Sequence, residues 1–146
     1  MIYTKLTNKA IKMAYDAHHG SVDKSGIPYV FHPYHIAEQM DCEISVCVAL
    51  LHDVIEDTDV SFSLIEEMGF PKQVIESLKL LTRDEVTSYE EYIQKIKDSN
   101  NDIAIKVKLA DLRHNSDISR FDDANDRKKH CEHNKKYGKA IILMGG

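Results

Sequence analysis

The run Ile44-Ser45-Val46-Cys47-Val48-Ala49-Leu50-Leu51-His52-Asp53-Val54-Ile55 limits the possible folds more than any other stretch of the chain. Its apolar side chains fall on nearly every side of a helix, so other elements must enclose it. It is too short to span a bilayer, which takes ~20 apolar residues, and no other stretch approaches that length. The pattern therefore predicts a central buried helix over about Glu43 to Ile55. The chain has 146 residues, 42% of them hydrophobic, which suffices for one domain with a real core. Residues 1–146 are accordingly read as a single domain.

Helical signals surround that run. Thr7 can cap a helix from Asn8 to about His18, with Ile11, Ala14, Tyr15 and His18 on one face. Gly20 and Ser25-Gly26-Ile27-Pro28 form a loop, and His32-Pro33 suits the start of a helix running through Ile36 and Met40. Ser63 to Glu66 fits a capping box before a short helix ended by Gly69, and Pro71 opens a helix striped by Val74, Ile75, Leu78 and Leu81. Ser88 to Glu91 is a second capping box, before Tyr92, Ile93 and Ile96. Ile103 to Leu109 alternates like a strand, but a lone strand would leave its backbone groups unpaired, so it too is read as helix. A last helix covers about Asp123 to Met144. The fold class is all-α.

A net charge of −5 gives no broad attraction to nucleic acid. The basic residues between Arg127 and Lys136 stand among acids, as on a solvated helix face. Cys42, Cys47 and Cys131 have no zinc-type spacing and read as reduced thiols. With no secretory pattern at the start of the chain, a cytoplasmic location is expected, with no membrane partner.

The ionisable residues inside the apolar run need a physical reason. On a helix His52 and Asp53 can converge beside the axis, and Glu56 and Asp57 lie one turn onward on the same side. Carboxylates at a helix C-terminus oppose the dipole at a cost of ~0.3–1 kcal/mol each, and crowding adds repulsion. A divalent cation would relieve both. Further ligands are available in His32, at a helix start, and in Asp111, a polar break in Lys108-Leu109-Ala110-Asp111-Leu112-Arg113-His114-Asn115. Two imidazoles and two carboxylates suit Mn²⁺, Fe²⁺ or similar ions better than a structural thiolate site does.

These residues and their surroundings carry a resemblance. Ser25-Gly26-Ile27-Pro28-Tyr29-Val30-Phe31-His32-Pro33, then Ala49-Leu50-Leu51-His52-Asp53-Val54-Ile55-Glu56-Asp57-Thr58, then Val107 to Asn115 resemble the HD-domain metal-dependent phosphohydrolases. They look most like the hydrolase domain of the RelA/SpoT alarmone enzymes. The resemblance spans roughly Leu6 to Arg120. It implies an HD-domain helical bundle and an Mn²⁺-dependent removal of pyrophosphate from the 3′ position of guanosine 3′,5′-bis(diphosphate), ppGpp, a small-molecule nucleotide. It implies that His32, His52, Asp53 and Asp111 hold the metal and that Glu56 and Asp57 orient and activate the attacking water. By the same resemblance Asn115 contacts the nucleotide, and Lys24 stands where a basic residue faces it. Lys24 or Arg83 can also offset phosphoryl charge.

One loop departs from the pattern. Where the family usually reads His-x-Gly-Gln followed by an arginine, this chain reads His18-His19-Gly20-Ser21-Val22-Asp23. An aspartate in place of a nucleotide-facing arginine predicts weaker affinity for a tetraphosphorylated guanosine, and predicts that Asp23→Arg lowers KM. It also keeps another nucleotide, such as a deoxynucleotide or a phosphorylated dinucleotide, open as the substrate. A binding sensor without turnover is the reading from a different class, and the intact Glu56-Asp57 pair argues against it. The length leaves no room for a synthetase domain, so hydrolysis alone is expected.

Overall fold

The computed structural model describes residues 1–146 and contains helices and no strand. Nine α-helices run in order: α1 Lys5–His18, α2 Phe31–Glu38, α3 Glu43–Leu51, α4 Val54–Asp57, α5 Phe62–Glu67, α6 Lys72–Leu81, α7 Tyr89–Asp98, α8 Asp102–Ser116 and α9 Ala124–Leu143. A 3-10 turn, Ile118–Arg120, separates α8 from α9. The run that had to be enclosed is enclosed. Every residue of α3 from Ser45 to Leu51 is buried, and α1, α2, α6 and α8 pack around it. The segment Ile103 to Leu109 is helical inside α8.

Two helix starts differ from the expected ones. Thr4 caps α1, its hydroxyl accepting from the Thr7 amide while the Thr7 hydroxyl accepts from the Thr4 amide. Thr7 is thus the reciprocal partner inside the first turn and not the cap. Ser61 caps α5 in place of Ser63. Starting there puts Val60 just before the cap and Ile65 at the fourth helical position, the spacing of a hydrophobic staple; Ile65 belongs to the core and Val60 packs against it. The Ser88 box forms as expected.

The central helix is also not continuous to Ile55. It stops at Leu51, and His52 and Asp53 turn the chain before α4 begins. His52 itself explains the stop. Its Nδ1 hydrogen is donated to the carbonyl of Ala49 at 2.6 Å, the group that a continuing helix would pair with the Asp53 amide. The break lifts Asp53 and the acids of α4 out of the apolar packing while His52 stays buried.

The α1–α2 loop is tied by one aspartate. Asp23 Oδ1 accepts from the Ser25 amide (2.8 Å), the Ser25 hydroxyl (2.6 Å) and the Ile27 amide (3.1 Å), and Gly26 closes the turn at φ +85°, where a side chain would be strained. All three cysteines are unpaired, and only Cys47 is buried. Lys128, Lys129 and Lys135 lie on the exposed side of α9. No helix is long and apolar enough to cross a membrane.

Candidate metal centre

Three places in the fold deliver four side chains to one point. The start of α2 brings His32, the α3–α4 break brings His52 and Asp53, and the second half of α8 brings Asp111. One donor atom from each lies within 4.8 Å of all the others. His32 Nε2 is 3.0 Å from Asp111 Oδ1 and 3.5 Å from Asp53 Oδ2. His52 Nε2 is 3.1 Å from Asp53 Oδ2 and 3.6 Å from Asp111 Oδ1.

The chemistry of His52 tests whether these residues fit a cation. A carbonyl accepts only, so the bond to Ala49 puts the hydrogen of the neutral ring on Nδ1 and leaves a lone pair on Nε2. That nitrogen is buried, faces two carboxylates, and makes a well-directed hydrogen bond to neither. A lone pair aimed at anions is unfavourable unless a proton or a metal ion stands between them. The titration behaviour agrees. Burial alone would depress His52, yet Asp53 and Asp111 raise it well above the usual imidazole range. Burial would raise Asp111, but Lys108 and the two histidines hold it well below the usual carboxylate range, and His52 does the same for Asp53. The site is built around positive charge at its centre, and a divalent cation fits it.

A second layer of contacts fixes the orientation of these groups. The Tyr29 hydroxyl donates to Asp53 Oδ2 at 2.6 Å. Lys108 donates to Asp111 Oδ2 at 2.7 Å and Asn115 donates to Asp111 Oδ1 at 2.9 Å. His114 stacks on His32 with their Nδ1 atoms 2.6 Å apart, a separation that requires one hydrogen between them. Burial and the neighbouring His32 push His114 down to about 4, so it is neutral and able to accept. Lys108 sits three residues before Asp111 on one helix face, a spacing the sequence displays. Tyr29 and His114 reach across from other elements and have no such local signal.

Glu56 and Asp57 stand at the rim, outside the group of four. Glu56 Oε1 accepts from the Arg83 amide at 2.5 Å, which leaves its other oxygen free. Burial of the carboxyl groups, with the charge of Asp53 adding to it, raises both above the ordinary carboxylate range. The Arg83 side chain turns away, its Nε donating to the Thr87 carbonyl and its guanidinium lying over Tyr89.

Beside the centre lies a cavity of about 310 Å³, lined by Lys24, Tyr29, His32, Asn115, Arg120 and His130 among others. Lys24 and Asn115 therefore share a wall with a metal-site histidine. Asp23 lies in the same wall, but not as the free negative charge the sequence implied. Its Oδ2 accepts from Arg120 Nη1 at 2.7 Å, and its Oδ1 is committed to the turn. A second arginine at position 23 would meet Arg120 and release the turn, so Asp23→Arg is expected to raise KM and not to lower it.

A search against models of known protein families finds no match. Individual proteins do match. The bifunctional (p)ppGpp synthase/hydrolase SpoT of Escherichia coli K12 is 38% identical over 125 residues, covering 76% of this chain and 18% of SpoT. A guanosine-3′,5′-bis(diphosphate) 3′-pyrophosphohydrolase of Haemophilus influenzae is 38% identical over 117 residues, covering 70% of this chain and 17% of that protein. The chain thus spans less than a fifth of the length of these relatives. Among solved structures, a metazoan ortholog of SpoT described as hydrolysing ppGpp superposes with a TM-score of 0.78 at 23% identity, over 99% of this chain and 87% of the other. That likeness establishes the helical fold. The chain belongs to the RelA/SpoT family, as a domain of its HD hydrolase type.

Proposed function

We propose that this domain is a metal-dependent phosphohydrolase that removes pyrophosphate from the 3′ position of ppGpp, with Mn²⁺ as its ion. The observation that carries the reading is the convergence of His32, His52, Asp53 and Asp111 beside a cavity bearing Lys24 and Arg120. The names of the relatives supply the substrate class. Residues 1–146 act as one catalytic domain in this reading, and the reaction takes place in the cytoplasm. A divalent ion held by the four side chains supplies Lewis acidity, making hydroxide available near neutral pH and offsetting charge on the phosphoryl oxygens.

The residues of the chain do the rest. For His32 to offer its Nε2 lone pair, its Nδ1 carries the hydrogen and donates it to His114. Tyr29 and Lys108 each occupy one oxygen of Asp53 and Asp111, so these carboxylates hold a single orientation. Glu56 takes the proton of the attacking water, and its raised pKa brings it nearer the working pH of a general base. Asp57 orients the same water. The bond between the ribose 3′ oxygen and the diphosphate breaks, the 3′ oxygen ends protonated, and GDP and pyrophosphate leave. Asn115 and Lys24 contact the nucleotide from the cavity wall.

The test is direct. Mn²⁺-loaded protein is incubated with ppGpp and a panel of other phosphorylated nucleotides, and the products are read by phosphorus NMR. Equal formation of GDP and pyrophosphate from ppGpp is expected. Intact ppGpp beside consumption of another nucleotide would reassign the substrate, and no consumption of any would return the domain to a binding role.

A further inference from the structure

The cavity beside the metal centre gathers Lys24, Arg120, His130 and His133 on its wall, and Asp23 is the sole acidic residue among those lining it. Asp23 makes no free contribution there. Three donors of its own turn occupy Oδ1, and Arg120 Nη1 occupies Oδ2 at 2.7 Å. The two side chains are only 13% and 16% exposed, so this is a partly buried, anchored pair and not a loose surface contact. Arg120 is also held from its own side, at the end of the 3-10 turn, where its Nε donates to the Asp117 carbonyl at 3.4 Å. A guanidinium carries five N–H donors. The second hydrogen of Nη1 and both hydrogens of Nη2 have no protein partner. They belong to a planar, rigidly placed fork in a cavity wall, the geometry that recognises a phosphate.

We propose that Arg120 binds the phosphates of the nucleotide that are not cleaved, and that Asp23 is a positioning residue that aims it. The inference rests on the phosphohydrolase reading for its geometry. The scissile diphosphate must lie at the metal centre, where His32 and Asn115 border the cavity. The remainder of the nucleotide then extends toward Lys24 and Arg120. A contact with phosphates remote from the reacting bond is the same in the ground and transition states, so it governs KM and leaves kcat alone. The cation that position 23 lacks is supplied by Arg120 at the end of the 3-10 turn. The aspartate that looked like a loss of charge is its tether.

The experiment compares the wild type of residues 1–146 with Arg120→Met, Arg120→Lys and Asp23→Asn, all loaded with Mn²⁺. GDP, which keeps the 5′ diphosphate, is the probe for equilibrium binding by calorimetry, and ppGpp is the substrate for kinetics. Arg120→Met keeps the aliphatic stem and should weaken GDP binding and raise KM roughly 10–100-fold, the range for losing charge-assisted hydrogen bonds, with kcat unchanged. Arg120→Lys should recover part of the loss. Asp23→Asn retains an oxygen for the turn but gives Arg120 no counter-charge, and should raise KM less than Arg120→Met. Unchanged GDP affinity in folded Arg120→Met, no GDP binding by the wild type, or a fall in kcat at constant KM would overturn the proposal. If Arg120→Met does not fold, the Asp23→Asn and Arg120→Lys arms decide on the same readouts. A wild type that binds GDP through Arg120 but leaves ppGpp intact would instead overturn the substrate reading and leave this one standing.

Discussion

At the scale of single residues, the proposed mechanism gives holding an ion and using it to different side chains. His52 and Asp53 are packed into the four-residue centre, whereas Glu56 sits at the rim with one oxygen pinned by the Arg83 amide. Asp53→Ala removes a ligand, leaves the Tyr29 hydroxyl without its acceptor, and strips His52 of a counter-charge. That variant is expected to bind Mn²⁺ poorly, by electron paramagnetic resonance of the free ion, and to melt below the wild type. Glu56→Gln leaves the proposed ligands intact and removes one repulsive carboxylate. It is expected to stay metal-replete while turnover drops roughly 10²–10⁴-fold, the usual worth of a positioned general base. Full activity in Glu56→Gln would pass the role to Asp57, and loss of metal would make Glu56 a ligand. The four proposed ligands could be picked out in the sequence because their types are costly where they stand. Tyr29 and His114 could not, since their partners lie on other elements, Asp53 and His32, and nothing local records which helix faces which.

Among the elements, periodicity carried most of the information and its limits are physical. The stripe of α6 and the box of α7 are legible because burial repeats every three or four residues and Ser88 and Glu91 stand at the spacing that lets each cap the other. The starts of α1 and α5 shifted because each has two hydroxyl residues within a turn, Thr4 with Thr7 and Ser61 with Ser63. In α1 both take part, Thr4 as cap and Thr7 as its reciprocal partner, and in α5 the packing of Val60 and Ile65 favours Ser61. The stop after Leu51 left no trace in the hydrophobic pattern, because Val54 and Ile55 continue it. It is made by a side chain competing for a backbone carbonyl. The cap of α7 offers a clean measure of an element's worth. Ser88 accepts from the Glu91 amide while Glu91 accepts from the Ser88 amide, both on the surface and neither among the four side chains of the centre. Ser88→Ala is expected to lower unfolding stability by about 1 kcal/mol, read from urea denaturation, with Mn²⁺ affinity unaltered.

Across the whole molecule, the apolar core and the polar centre share α3 and α8 but not their stabilising forces. A cluster of 27 buried apolar residues extends through the bundle. The acids of the centre have donors from the chain itself, Lys108 on Asp111 and Tyr29 on Asp53. The apolar core is thus built apart from the centre, unlike that of small zinc domains in which the metal is the core. Treatment with a chelator is expected to abolish turnover and lower the melting temperature while leaving the helical circular dichroism intact at 25 °C, and added Mn²⁺ should restore both. The tautomer of His52 has a further consequence. With its hydrogen held on Nδ1 by the Ala49 carbonyl, the ring offers Nε2 alone to the centre, where a proton and a metal ion compete for the same lone pair. Metal affinity therefore falls as the solution is acidified, each ion bound at low pH displacing the proton that stood in its place.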